Sequence, residues 1–158
     1  VAGIALAMGM NVLANRRNIK EPPDDPRIVY AEMDSLLSRS DVVTLHVPLF
    51  ESTRGMVNAA SIAKMKNGVI VINTGRGQLV AEADMAAALY SGKVRAFGAD
   101  VVSVEPIQPG NPLLSAPNCF LTPHIAWAPL ATRRRLLDVA AGNLAAFLRG
   151  EPRNVVNP

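Results

Sequence analysis

Apolar runs and amphipathic stretches alternate along the chain. Residues 1–9 are apolar and rich in small residues, the pattern of a helix that stops near Gly9. MNVLA at 10–14 is a short apolar run that fits a buried strand. The polar stretch 15–27 carries three prolines and can only be a loop. Residues 30–39 set Met33, Leu36 and Leu37 at helical spacing. DVVTLHV at 41–47 is a β-branched strand halted by Pro48. NAASIAKMK at 58–66 predicts a helix with Asn58 as its N-cap. GVIVIN at 68–73 is a continuous apolar strand, followed by a tight TGRG loop at 74–77. A helix over 81–92 stops at Gly92, and a strand follows at 94–101. After a proline-rich loop at 105–117 come a short strand at 119–122 and a long helix at 131–149, closed by Gly150.

Uniformly apolar strands alternating with helices imply a parallel sheet covered on both faces, the doubly wound α/β class. Ligands of such sheets bind beyond the carboxyl ends of the strands. The polar residues to inspect are therefore those at 15–17, 46–48, 73–77 and 100–105, with His124. No internal repeat or low-complexity tract interrupts the alternation.

Composition narrows the class. A chain of 158 residues, 49% hydrophobic and 18% charged, can build one domain's core. No apolar run approaches the ~20 residues of a membrane span, and the apolar start lacks the basic residues of a secretory signal. A single cysteine, Cys119, excludes an internal disulfide framework and reads as a small apolar residue. The histidines and carboxylates show no metal-ligand spacing. A net charge of +3 from 16 basic and 13 acidic residues suits small anionic ligands and does not call for nucleic acid. The run Arg133, Arg134, Arg135 fits a solvated or intersubunit helix face. A cytoplasmic protein with neither nucleic acid nor membrane as partner is expected.

Arg76, Glu105 and His124 each follow a different apolar strand, so a parallel sheet would bring them to one edge. A histidine beside a carboxylate is a proton donor poised near neutral pH, and an arginine offers a two-pronged clamp for a substrate carboxylate. Acid, orienter and anion clamp suit reduction of a 2-oxo acid. The plainer alternative makes Arg76 and Glu105 ordinary loop charges and His124 a satisfied rim histidine. His46 reads as structural, and Trp127 fits either a substrate cleft or a dimer contact.

NTGRG at 73–77, GADVVSVEP at 98–106 and TPHIAWA at 122–128 occur in this order after strands. With SDVVTLHVPLFESTRGMVN at 40–58, they resemble the signature segments of the NAD(P)-dependent D-2-hydroxyacid dehydrogenases, over essentially the whole chain. HIAWA and the terminal NVVNP look most like the glycerate dehydrogenase/hydroxypyruvate reductase branch. The resemblance implies a Rossmann-type domain and assigns roles. Arg76 matches the arginine that binds the substrate carboxylate and carbonyl, and His124 the general acid/base. Glu105 matches the acid that orients the histidine and favours its protonated form; the formate dehydrogenase relatives carry glutamine there. Asp100 matches the aspartate near the nicotinamide amide. Thr74 and Gly75 line the nicotinamide side, and Val47 and Pro48 lie against the cofactor.

Departures from the family pattern shape further expectations. The glycine-rich turn and the strand before it are not found, and Gly3 and Gly9 do not replace them. The chain is expected to be a piece of something longer and inactive alone. Residues 1–128 are then a partial dinucleotide-binding domain, and 129–158 a helix and tail packing on a separate substrate domain. After MNVLA an acid would bond the adenosine ribose, yet the chain reads Asn15, Arg16, Arg17. This favours NADP(H), with NAD(H) as the alternative. The expected substrate is a small 2-oxo or 2-hydroxy acid, such as hydroxypyruvate or glyoxylate, and the expected assembly a homodimer. Rival readings are a phosphoglycerate dehydrogenase, a non-catalytic dehydrogenase-fold corepressor and an inactive fragment.

Overall fold

The structure, a computed structural model, describes residues 1–16, 23 and 25–156. It divides into two compact units, Val1–Pro123 and His124–Pro158.

The first unit alternates strands and helices as the apolar pattern requires. In order come α1 (Ala2–Ala7), β1 (Val12–Ala14), β2 (Ile28–Tyr30), α2 (Met33–Arg39), β3 (Val42–Leu45) and α3 (Ala59–Lys64). Then follow β4 (Val69–Asn73), α4 (Glu82–Tyr90), β5 (Val94–Ala99) and β6 (Cys119–Leu121). Every strand pairing is parallel: β1 with β2, and β3-β4-β5-β6 as a four-stranded sheet. This is the α/β class expected.

Two features differ from the expectation. Residues 28–30 form the short strand β2, so the helix expected from 30 begins at Met33. Three residues are too few to show a period, and the β-branched pair Ile28 and Val29 pairs with Val12 and Leu13. Cover of the sheet is also uneven. Val43, Leu45, Val71, Phe97 and Ala99 share one buried face, while Val42 and Thr44 on the other side of β3 are exposed.

The buried face packs on α2, α3 and α4 through Leu37, Ile62, Met85 and Leu89. Local chemistry fixes where these helices begin. Asn58 accepts the Ser61 N–H at 3.1 Å, and the Ser61 hydroxyl accepts the Asn58 N–H at 2.9 Å, a reciprocal cap on α3. Asp84 of α4 reaches across to accept the Ala59 N–H at 2.8 Å, satisfying another free donor of that helix end. Gly92, at φ +74°, ends α4 in a conformation that glycine adopts without steric cost. Cys119 packs at the core's margin, where burial pushes its thiol pKa up.

The second unit holds α5 (Leu130–Leu148), about two turns longer than a typical domain helix, closed by Gly150 at φ +75°. Arg133, Arg134 and Arg135 are exposed on it, as expected of a solvated face. Among the described residues, no helix is long and apolar enough to cross a membrane.

Replacing Asn58 with Ala removes the cap of α3 while leaving the packed face intact. The expected loss is about 1 kcal/mol, read as a lower urea midpoint with unchanged slope. An unchanged midpoint would show that the cap contributes nothing.

Candidate active site

β4 ends on Asn73, whose side chain is completely buried. A buried amide is costly unless bonded, and this one is bonded on both sides. Its Oδ1 accepts the Gly75 N–H at 3.0 Å, and its Nδ2 donates to the Arg76 carbonyl at 2.9 Å. The chain therefore folds back around Asn73 and turns Thr74 and Arg76 outward, both exposed. A Cβ on Gly75 would lie 3.2 Å from Leu79 Cδ1 and 3.5 Å from the Leu45 carbonyl oxygen, so this residue packs closely against its neighbours. The Arg76 guanidinium donates to the Gly75 carbonyl at 2.9 Å and stays at the surface.

The next residue meets the neighbouring strand end. A Cβ on Gly77 would overlap the Val102 carbonyl and the Ser103 nitrogen, so the loops after β4 and β5 touch backbone to backbone. The Asp100 N–H donates to the Asn73 carbonyl at 3.1 Å, and its buried carboxylate accepts the Thr122 hydroxyl at 2.5 Å. Thr122 N–H in turn bonds the Ala99 carbonyl at 2.9 Å. Three successive strand ends are thus laced together. Glu105 lies exposed four residues beyond Val101, with its Oε1 accepting the Val102 N–H at 3.2 Å.

At the end of β3, Val47 is half-buried and Pro48 exposed; the Pro48 carbonyl accepts the Thr53 hydroxyl at 2.8 Å. His46 is exposed and bonds Thr44 Oγ1 through Nε2 at 3.0 Å. Beyond β1, Asn15 donates to the Ala31 carbonyl at 2.9 Å, which ties the two short strands together. Arg16 donates to the Tyr30 hydroxyl at 3.2 Å, with its guanidinium carbon 5.8 Å from the ring centre. Neither position is acidic. Arg17 lies outside the described residues.

His124 opens the second unit, exposed and at φ +53°. That left-handed conformation is uncommon for a side-chain-bearing residue, with histidine among the types enriched there. The Trp127 indole N–H donates to the His124 carbonyl at 2.7 Å, and the Ala128 N–H to the Ile125 carbonyl at 2.9 Å. Residues 124–128 therefore form a closed turn, and the exposed Trp127 helps hold it.

The structure brings Asn73, Gly75, Arg76, Asp100 and Glu105 together at the ends of β4 and β5. Sequence reasoning missed Thr122, Gln78 and Glu82 and gave no role to Ser103, within 100–105; all four hold these loops. Thr122 had a signal, since it directly follows an apolar strand; the others bond across 21 to 25 positions, which no local pattern reveals.

Residues 1–126 match the family described as D-isomer specific 2-hydroxyacid dehydrogenase, NAD binding domain. The chain belongs to this family. It is 54% identical to the hydroxypyruvate reductase of Blautia hydrogenotrophica over 98% of its own length and 48% of that protein's. It is 42% identical to the glycerate dehydrogenase of Methylorubrum extorquens, over 99% of this chain and 48% of that one. The crystal structure of the TT0316 protein from Thermus thermophilus superposes with a TM-score of 0.89 at 41% identity, covering 99% of this chain and 49% of that chain. The chain thus spans about half the length of these relatives.

A nicotinamide dinucleotide is the cofactor such a domain holds, and the strand ends fit one. Thr122 fixes the Asp100 carboxylate, and Arg16 sets a cation beyond β1.

Gly77 and Gly98 offer a matched pair. Gly77→Ala must push two backbone segments apart and is expected to destabilise by roughly 1–3 kcal/mol or more. Gly98→Ala, where a Cβ would meet nothing within 4 Å, should be tolerated. Thermal midpoints of both variants check this; equal midpoints would contradict the close approach.

Proposed function

We propose that the whole protein is a cytoplasmic NAD(P)H-dependent reductase of small 2-oxo acids, with hydroxypyruvate or glyoxylate as substrate. The observation that carries this reading is the 54% identity to a hydroxypyruvate reductase across 98% of the chain, with NTGRG, VEP and TPH each following a strand. That relative and the glycerate dehydrogenase favour this substrate class over the phosphoglycerate dehydrogenase reading. A bound reduced nicotinamide supplies the hydride that reaches the 2-oxo carbon. Arg76 holds the substrate carboxylate with its forked donors. His124, protonated, gives its proton to the carbonyl oxygen as that oxygen gains charge. Glu105 orients the imidazolium. Asp100 would lie near the amide of a bound nicotinamide. Thr74, Gly75, Val47 and Pro48 would line the cofactor, and Asn15, Arg16 and Arg17 would hold its adenosine end. The proposed assembly is a homodimer.

Arg16 directs the finer cofactor choice. Without an acid at 15 or 16, nothing there repels a 2′-phosphate, and NADPH is the preferred cofactor. In the full-length protein, Arg16→Asp is expected to reverse the ratio of kcat/KM for NADPH over NADH. A wild-type ratio that already favours NADH would contradict the reading.

The proton donor has its own test in hydroxypyruvate reduction. His124→Ala should lose about 10²–10⁴-fold in kcat while the NAD(P)H Kd changes little. The pH profile of kcat/KM in Glu105→Gln should differ from that of the wild type. Near-normal turnover in His124→Ala would overturn the mechanism, and superimposable pH profiles would overturn the role of Glu105.

A further inference from the structure

We propose that Glu82 is a positioning residue that sets Glu105 relative to Arg76, an inference that rests on the reading above. Glu82 is the first residue of α4, where the helix dipole favours an anion. Its Oε1 accepts the Ser103 N–H at 2.7 Å, and its Oε2 accepts the Ser103 hydroxyl at 2.6 Å. Oε2 also accepts the Asn111 amide at 2.9 Å. Such charge-assisted bonds are short and about twice as strong as neutral ones. The Ser103 carbonyl is taken as well, by Gln78 Nε2 at 2.8 Å. Every polar group of Ser103 is therefore held by the segment that also carries Arg76 and Gly77.

Ser103 directly follows Val102, whose N–H bonds the Glu105 carboxylate. Val102 donates its N–H to Glu105 Oε1, and Gly77 packs against the Val102–Ser103 peptide. Loss of the Glu82 clamp frees Ser103, and the Val102 donor that anchors Glu105 moves with it. Asn111 joins the same carboxylate, so the clamp also gathers the chain beyond Glu105. Stability alone would not require this arrangement to converge on the loop bearing Glu105.

The test uses the full-length protein with two readouts. The first is hydrogen–deuterium exchange of the 101–106 amides without substrate. The second is kcat/KM for hydroxypyruvate against pH. In Glu82→Ala, exchange should rise and kcat should fall by up to about 100-fold, while KM for the cofactor changes little. The pH profile should move in the same direction as in Glu105→Gln. The double variant should show no further shift, because both changes act through one group. Glu82→Gln should recover part of the loss, since the amide oxygen still accepts from Ser103. If Glu82→Ala does not fold, Ser103→Ala removes one bond of the clamp and should shift the profile in the same direction. Unchanged exchange would overturn the clamp. Raised exchange with an unmoved pH profile would overturn the link to Glu105. A wild-type protein that reduces neither hydroxypyruvate nor glyoxylate would overturn the proposed function, and with it the catalytic role of Glu82, whatever the exchange shows.

Discussion

The backbone contact between Gly77 and the Val102–Ser103 peptide is the constraint on which the rest of the site depends. Adjacent parallel strands lie about 4.8 Å apart, so loops leaving β4 and β5 on the same edge compete for space. Here the competition is resolved by removing a side chain. Once the two backbones touch, Gln78 and Glu82 fall within reach of Ser103, and the loops become one structure. Arg76 precedes the contact and Glu105 follows it. Main chain and short hydrogen bonds thus hold together the two loops that carry a cation and a carboxylate.

Asn73 supplies the second constraint. A polar side chain ends an otherwise apolar strand and points into the buried face, where it can persist only by bonding its own loop. The cost of that burial is offset by a defined turn, and the turn exposes Arg76. Asp100 repeats the device on β5, with Thr122 as its partner. At both strand ends a buried polar group determines which neighbouring residues face outward. This is how a sheet built for packing produces an edge suited to chemistry.

Much of this was legible in the sequence. The β-branched runs at 41–47 and 68–73 marked strands, and Asn58, Gly92 and Gly150 marked helix ends, because capping chemistry is local. The strand 28–30 was hidden by its length and its position beside a polar loop. The candidate residues at the ends of β4 and β5 could be located from strand ends, since parallel strands put their carboxyl termini on one edge. What holds them could not. Glu82 looks like an ordinary first-turn acid, and Gln78 and Ser103 look like loop residues. Their bonds span the chain from the end of one strand to the end of the next, and only a folded sheet brings them together.

The central claim is that this chain belongs to a protein that moves a hydride from a reduced nicotinamide to the 2-carbon of a small oxo acid. Turnover of hydroxypyruvate by the full-length protein with NADPH dideuterated at nicotinamide C4 tests it directly, with mass spectrometry of the product. The account predicts glycerate carrying one deuterium, bonded to carbon 2. Glycerate without deuterium at that carbon, or no glycerate at all, would contradict it.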